Sequence, residues 1–190
     1  IKEAAKKAID DNYTSYPHVT GYADVREAIS KKFMNENGLE YAPEQIIVSG
    51  GGKHSLINVI LTIVNPGDEV IIFSPYWVSY YDQIILAGGN PVVIKTTIEN
   101  DFKATADELE AAITPKTRAI LFNSPSNPTG MVYTRDEMES IARVVEKHEG
   151  VFVISDEIYE HITFSGEHIS MASFDFIYDR VITVNGVSKG

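Results

Sequence analysis

Short apolar runs alternate with longer amphipathic stretches along this chain, and the two periods predict different elements. The runs Gln45–Ser49, Glu69–Ser74, Pro91–Thr96, Ala119–Asn123, Val151–Ser155 and Val181–Asn185 are mostly β-branched and continuous in hydrophobicity. That pattern predicts strands covered on both faces. Between them, helical spacing predicts helices over Val25–Asn35, His54–Ile63, Val78–Leu86, Ala106–Ala112 and Arg135–Lys147. Thr134 followed three residues later by Glu137 predicts a capping box opening the last of these. Glycine and proline mark the joints at 65–68, 88–91 and 127–130. Strands alternating with helices imply an α/β fold with a mainly parallel sheet. No internal repeat, low-complexity tract or interdomain linker interrupts the pattern, so one domain is the default expectation.

Composition narrows the class. With 44% hydrophobic and 23% charged residues, the 190-residue chain has the balance of a globular protein, and no run approaches the length of a membrane span. Sixteen basic against 27 acidic residues give a net charge of −11, with the acids spread along the chain. A nucleic-acid surface needs concentrated Lys and Arg, so no nucleic-acid partner and no membrane are expected. The absence of cysteine excludes disulfides and thiolate chemistry and fits a reducing compartment, so the expected location is cytoplasmic. The charged run from Ile1 to Asp11 does not read as a secretory signal. The chain starts in helical character and stops at Gly190 directly after a strand, as an excerpt of a longer polypeptide does.

Open α/β sheets bind ligands beyond the carboxyl ends of their strands. Gly50-Gly51-Gly52-Lys53 leads from the first predicted strand into a helix, where backbone N–H groups can hold a phosphate. The same run also makes a plain tight turn. It is neither a dinucleotide fingerprint nor a P-loop, since Ile47 stands where the first P-loop glycine belongs. That leaves room for another phosphorylated cofactor. Trp77, the only tryptophan, suits stacking on a flat heteroaromatic ring, or simple core packing. Asp156 closes an apolar strand, where a carboxylate is costly unless it faces a cation such as a protonated pyridine nitrogen; a cap or loop carboxylate is the plainer alternative. Tyr159 stands within reach of the same ring edge or serves structure alone. Lys189 follows the last strand, where an amine can condense with an aldehyde, although most lysines are solvated surface residues. Coherence raises them together: phosphate donors, stacking ring, pyridinium partner and amine all fall at carboxyl ends of strands.

The strings Ser74-Pro75-Tyr76-Trp77, Asn123-Ser124-Pro125-Ser126-Asn127-Pro128-Thr129-Gly130, Ser155-Asp156-Glu157-Ile158-Tyr159 and Ser188-Lys189, in this order, carry a resemblance. From about Tyr13 to Gly190 the chain resembles the fold-type I pyridoxal-phosphate enzymes, specifically the class I/II aminotransferases and their aspartate aminotransferase-like branch. The resemblance implies a three-layer αβα large domain over 1–190, with a mainly parallel mixed sheet incomplete at both ends and the small domain absent. It implies pyridoxal 5'-phosphate as cofactor, amino acid and 2-oxo acid as substrates, and transamination by a ping-pong mechanism. Lys189 would hold the cofactor through its amine and move the substrate's α-proton. Asp156 would bind the pyridine nitrogen, Asn127 and Tyr159 the phenolic oxygen, and Trp77 the ring face. Gly51, Gly52 and Lys53 would supply phosphate donors. Tyr16 matches a tyrosine that reaches the partner's phosphate across a homodimer interface. Gly186 departs from the pattern, because members often carry a hydroxyl residue there. Six of the family's seven large-domain strands are traced. The same scaffold also serves lyases, synthases and non-catalytic ligand-binding domains.

Overall fold

The computed structural model describes residues 1–164 and 166–189, and the chain divides into two compact units, Ile1–Ser49 and Gly50–Gly190. In the first unit, α1 (Lys2–Asp10) buries no residue, and α2 (Ala23–Lys32) runs on into a wider turn over Phe33–Asn37. Gly38 stops that turn in the left-handed region, at φ +67°, a position that favours glycine. Phe33 is buried against Tyr41, with ring centroids 5.2 Å apart, and Ser30 Oγ donates to the Tyr41 carbonyl. The predicted strand Gln45–Ser49 is a correction. Ile46 has extended backbone, but among the described residues the segment joins no ladder, and its tie is Val48 N–H to the Thr20 carbonyl at 3.1 Å. Ile46 is buried while Ile47 is 67% exposed, so the run lacks the two-sided cover that its hydrophobicity suggested.

The second unit is the layered α/β structure. In chain order it contains α3 (Gly52–Ile63), β1 (Glu69–Ser74), α4 (Ser79–Leu86), β2 (Asn90–Lys95), α5 (Ala106–Ala112), β3 (Thr117–Asn123), α6 (Arg135–Lys147), β4 (Phe152–Asp156) and β5 (Val181–Val184). The sheet order is β2-β1-β3-β4-β5, and every pairing is parallel. The chain leaves β1 toward one edge and then crosses to the other side, so the order reverses between β1 and β3. Right-handed crossovers in opposite directions place helices on both faces, and the crevice beyond the carboxyl ends at that reversal is where such sheets bind ligands.

Strand alternation sorts the core into two layers. Val70, Ile72, Ala119, Leu121, Ile154 and Val184 meet Leu56 and Ile60 of α3 and Tyr80 and Ile84 of α4. The intervening Ile71, Ile120, Phe122 and Val153 are buried on the other face, toward the mutually packed α5 and α6. Phe122 there meets Phe73 and Tyr133, with centroids 6.0 and 4.8 Å away. The predicted capping box forms: Glu137 N–H donates to Thr134 Oγ1, and Thr134 N–H to the Glu137 carboxylate. Arg180, in the last turn before β5, closes the far end of α6 by donating to the carbonyls of Val145 and His148. No described helix is long and apolar enough to cross a membrane.

Candidate functional site

Period two along β4 puts Asp156 on the same face as Ile154, toward α3 and α4, although it is the strand's last residue. Asp156 is only 4% exposed, and no Lys, Arg or His pairs with its carboxylate among the described residues. Tyr80 Oη donates to Oδ2 at 2.6 Å, and Ile158 N–H donates to Oδ1 at 3.2 Å. Burial pushes the Asp156 carboxyl above the ordinary carboxylate value; those two hydrogen bonds pull it back in part, and the Glu157 charge adds to the rise. A buried anion without a counter-ion costs several kcal/mol on the order-of-magnitude scale, and a cation brought beside it relieves that cost.

The β3 loop is stitched to the same spot. Asn123 Nδ2 donates to the Asp156 carbonyl at 2.8 Å, while Asn123 Oδ1 accepts the Asn127 N–H at 2.8 Å. This places Asn127 Nδ2 3.4 Å from the Tyr159 hydroxyl, both side chains half-buried. Lys189 is exposed, and its Nζ lies 6.0 Å from the centroid of the Tyr159 ring. On the other side, Trp77 meets Tyr80 edge-on, with centroids 5.4 Å apart and planes at 87°. Lys53 Nζ lies 4.9 Å from the Trp77 ring centroid, and the Lys53 carbonyl accepts from Gln83 of α4.

Gly51 precedes α3 at φ +112°, a conformation that side chains rarely adopt. The Gly51, Gly52 and Lys53 N–H groups stand before the first helical hydrogen bond, which His54 N–H makes to the Gly51 carbonyl, so they remain available to an anion. The Gly50 N–H is already taken by His54 Nδ1. A Cβ on Gly52 would lie 3.6 Å from Ile158 Cδ1, and one on Gly186 only 3.0 Å from the same atom. The Ile158 tip therefore leaves little room for a side chain at 186.

The structure thus brings together Gly51, Gly52, Lys53, Trp77, Asn127, Asp156, Tyr159 and Lys189 at the carboxyl ends of the strands. Tyr16 belongs to the first unit, where its side chain is fully exposed. Three contributors escaped the sequence reading. Tyr80 and Asn123 act through contacts 76 and 33 residues away along the chain, which no local pattern encodes. Glu157 is 1% exposed and accepts from Ser155, Ser170 and the Met171 N–H, anchoring the strand end from the opposite side to Asp156. The one signal for Glu157 was a second carboxylate directly after a buried one.

The chain as a whole matches known proteins. A family model described as aminotransferase class I and II matches residues 1–190. The aspartate/prephenate aminotransferase of Cereibacter sphaeroides (strain ATCC 17029 / ATH 2.4.9) is 48% identical over 198 residues, a match covering 100% of this chain and 48% of that protein. The aspartate aminotransferase of Bacillus sp. (strain YM-2) is 48% identical over 191 residues, with the same coverage of 100% and 48%. Among solved structures, the Rhizobium meliloti aspartate aminotransferase superposes with a TM-score of 0.97 at 42% identity, over 99% of this chain and 48% of that one. The Thermus thermophilus aspartate aminotransferase with maleate gives 0.95 at 44% identity, over 99% and 48%. The chain spans about half the length of the curated relatives it matches.

Proposed function

Because this chain belongs to the class I and II aminotransferase family, we propose that it is the cofactor-binding large domain of a pyridoxal-phosphate aminotransferase, moving an amino group between an amino acid and a 2-oxo acid. The relatives named for aspartate support aspartate as one amino donor. The observation that carries the reading is Asp156, a buried carboxylate with no cation beside it among the described residues, set between Trp77 on one side and the Asn127–Tyr159 pair on the other. That donor set fits a flat, phosphorylated pyridinium.

When bound, pyridoxal 5'-phosphate supplies an electron sink for the carbanion left at the substrate α-carbon after proton loss. Each residue then has a definite task. Asp156 would accept a hydrogen bond from the ring N–H and keep its positive charge in place. Asn127 and Tyr159 would orient the ring through its phenolic oxygen, and Trp77 would cover a face and exclude water. The N–H groups of Gly51, Gly52 and Lys53 would hold the phosphate at the start of α3, where the helix dipole favours negative charge. Lys189 would hold the cofactor through Nζ, and the same amine would carry the proton to and from the substrate α-carbon. The two half-reactions alternate, giving ping-pong kinetics.

Tyr16 is proposed to reach the phosphate of a partner protomer in a homodimer; its full exposure in the first unit supports that role. A cytoplasmic setting is supported by the cysteine-free composition. The decisive experiment is Lys189→Ala in the full-length protein. Borohydride fixes the cofactor to the wild type but not to this variant, as read by intact mass. Covalent cofactor retained in the variant overturns the assignment of Lys189.

A further inference from the structure

Tyr80 lies in the first turn of α4, 2% exposed, and packs in the cluster formed by Leu56, Ile60, Ile84 and Ile154. Its ring is held by that packing, so its hydroxyl arrives at Asp156 without a search. The 2.6 Å contact to Oδ2 is in the range of a charge-assisted O–H···O⁻ bond, whereas the Ile158 N–H reaches Oδ1 at 3.2 Å. The phenol is firmly the donor: burial and the neighbouring Asp156 charge hold its proton well above the ordinary phenol range. The same ring stands edge-on to Trp77, so one side chain links the stacking residue to the buried carboxylate.

We propose that Tyr80 is a positioning residue that acts through Asp156: its hydroxyl holds the carboxylate as a hydrogen-bond acceptor, so that the shared proton stays on the cofactor's ring nitrogen. This rests on reading the site as a pyridoxal-phosphate pocket. A hydrogen bond donated to a carboxylate stabilises its anionic form and weakens it as a base. Without that bond, Asp156 competes better for the ring proton, and a ring that loses its charge stabilises the α-carbanion less well. Tyr80 itself touches neither substrate nor ring in this account.

The test uses the full-length protein loaded with cofactor labelled with ¹⁵N at the ring nitrogen. In Tyr80→Phe, which keeps the ring and removes the hydroxyl, the ¹⁵N resonance of the bound cofactor moves toward the unprotonated value. Turnover falls by about ten- to a hundred-fold, the scale of one charge-assisted hydrogen bond, while KM stays within a few-fold. A purely structural role lowers occupancy or thermal stability and leaves the bound resonance where it was; that result overturns the proposal. Should Tyr80→Phe fail to fold, 3-fluorotyrosine placed at position 80 preserves the packing and strengthens the donor. The resonance then moves the opposite way, toward the protonated value, and a stationary one again overturns the proposal. Failure of the parent reading looks different. Wild-type protein that takes up no labelled cofactor removes the aminotransferase assignment and this role together, before any variant is compared.

Discussion

Glu157 Oε2 and His168 Nε2 meet at 3.1 Å in the interior, directly behind the strand end that presents Asp156. The other Glu157 oxygen accepts from Ser155 Oγ and Ser170 Oγ, both at 2.8 Å, and from the Met171 N–H at 3.2 Å. One carboxylate thus collects donors from β4 and from the segment that returns toward β5. Consecutive residues of the chain point opposite ways here, Asp156 toward α4 and Glu157 toward this anchoring network.

The network predicts a stability effect separate from any cofactor. Glu157→Ala strands two hydroxyls, an N–H and a histidine without their acceptor, at a cost of about 3 kcal/mol. Glu157→Gln keeps one acceptor oxygen and loses less. Urea unfolding of cofactor-free full-length protein measures both, and equal losses in the two variants would show that the charge, not the acceptor count, matters.

Asp156 predicts a pH dependence. Its folded-state carboxyl sits above the ordinary value, mainly because burial penalises the charge. A group raised in this way contributes its stability at acid pH, where it is protonated in both states. That contribution is lost as pH rises through the folded value, because the interior must then carry the charge. Asp156→Asn removes this burden and can still accept from Tyr80. In the cofactor-free protein the variant's urea midpoint should therefore gain on the wild type between pH 4 and pH 7.5. A gap that stays constant over that range would remove buried charge as its cause.

Gly89 predicts a packing limit. A Cβ there would lie 2.8 Å from Val64 Cγ1 and 3.1 Å from Ile84 Cγ2, with the Ile84 carbonyl at 3.3 Å. These neighbours are buried side chains of the α3–α4 layer and have little room to move. Gly89→Ala should destabilise by about 1–3 kcal/mol, read as a lower melting temperature. Unchanged melting would mean that the turn between α4 and β2 yields.

Much of the architecture was written locally. The runs at 69–74, 91–96, 119–123, 151–155 and 181–185 all lie within one or two residues of observed strands, because a buried parallel strand carries its signal in its own hydrophobic continuity. The five helices of helical spacing form as well, α5 and α6 with the predicted bounds, and the Thr134–Glu137 box closes as its spacing requires. The Gln45–Ser49 run failed for the complementary reason. A strand needs a ladder partner as well as a pattern, and Ile47 lies exposed where two-sided burial was expected.

Candidate chemistry at Lys189, Asp156, Asn127 and Trp77 was legible because each ends or follows a strand, and strand ends converge on one edge of a parallel sheet. What surrounds those residues was decided in three dimensions. The Tyr80–Asp156 bond spans 76 positions, the tie from Asn123 to the Asp156 carbonyl spans 33, and the near-contact of Gly186 with Ile158 joins two loops. Sequence specifies what each segment prefers through its own side chains and period. Which partner a buried phenol or carboxylate finds depends on the order in which strands and helices stack, and that order exists only once the core has closed.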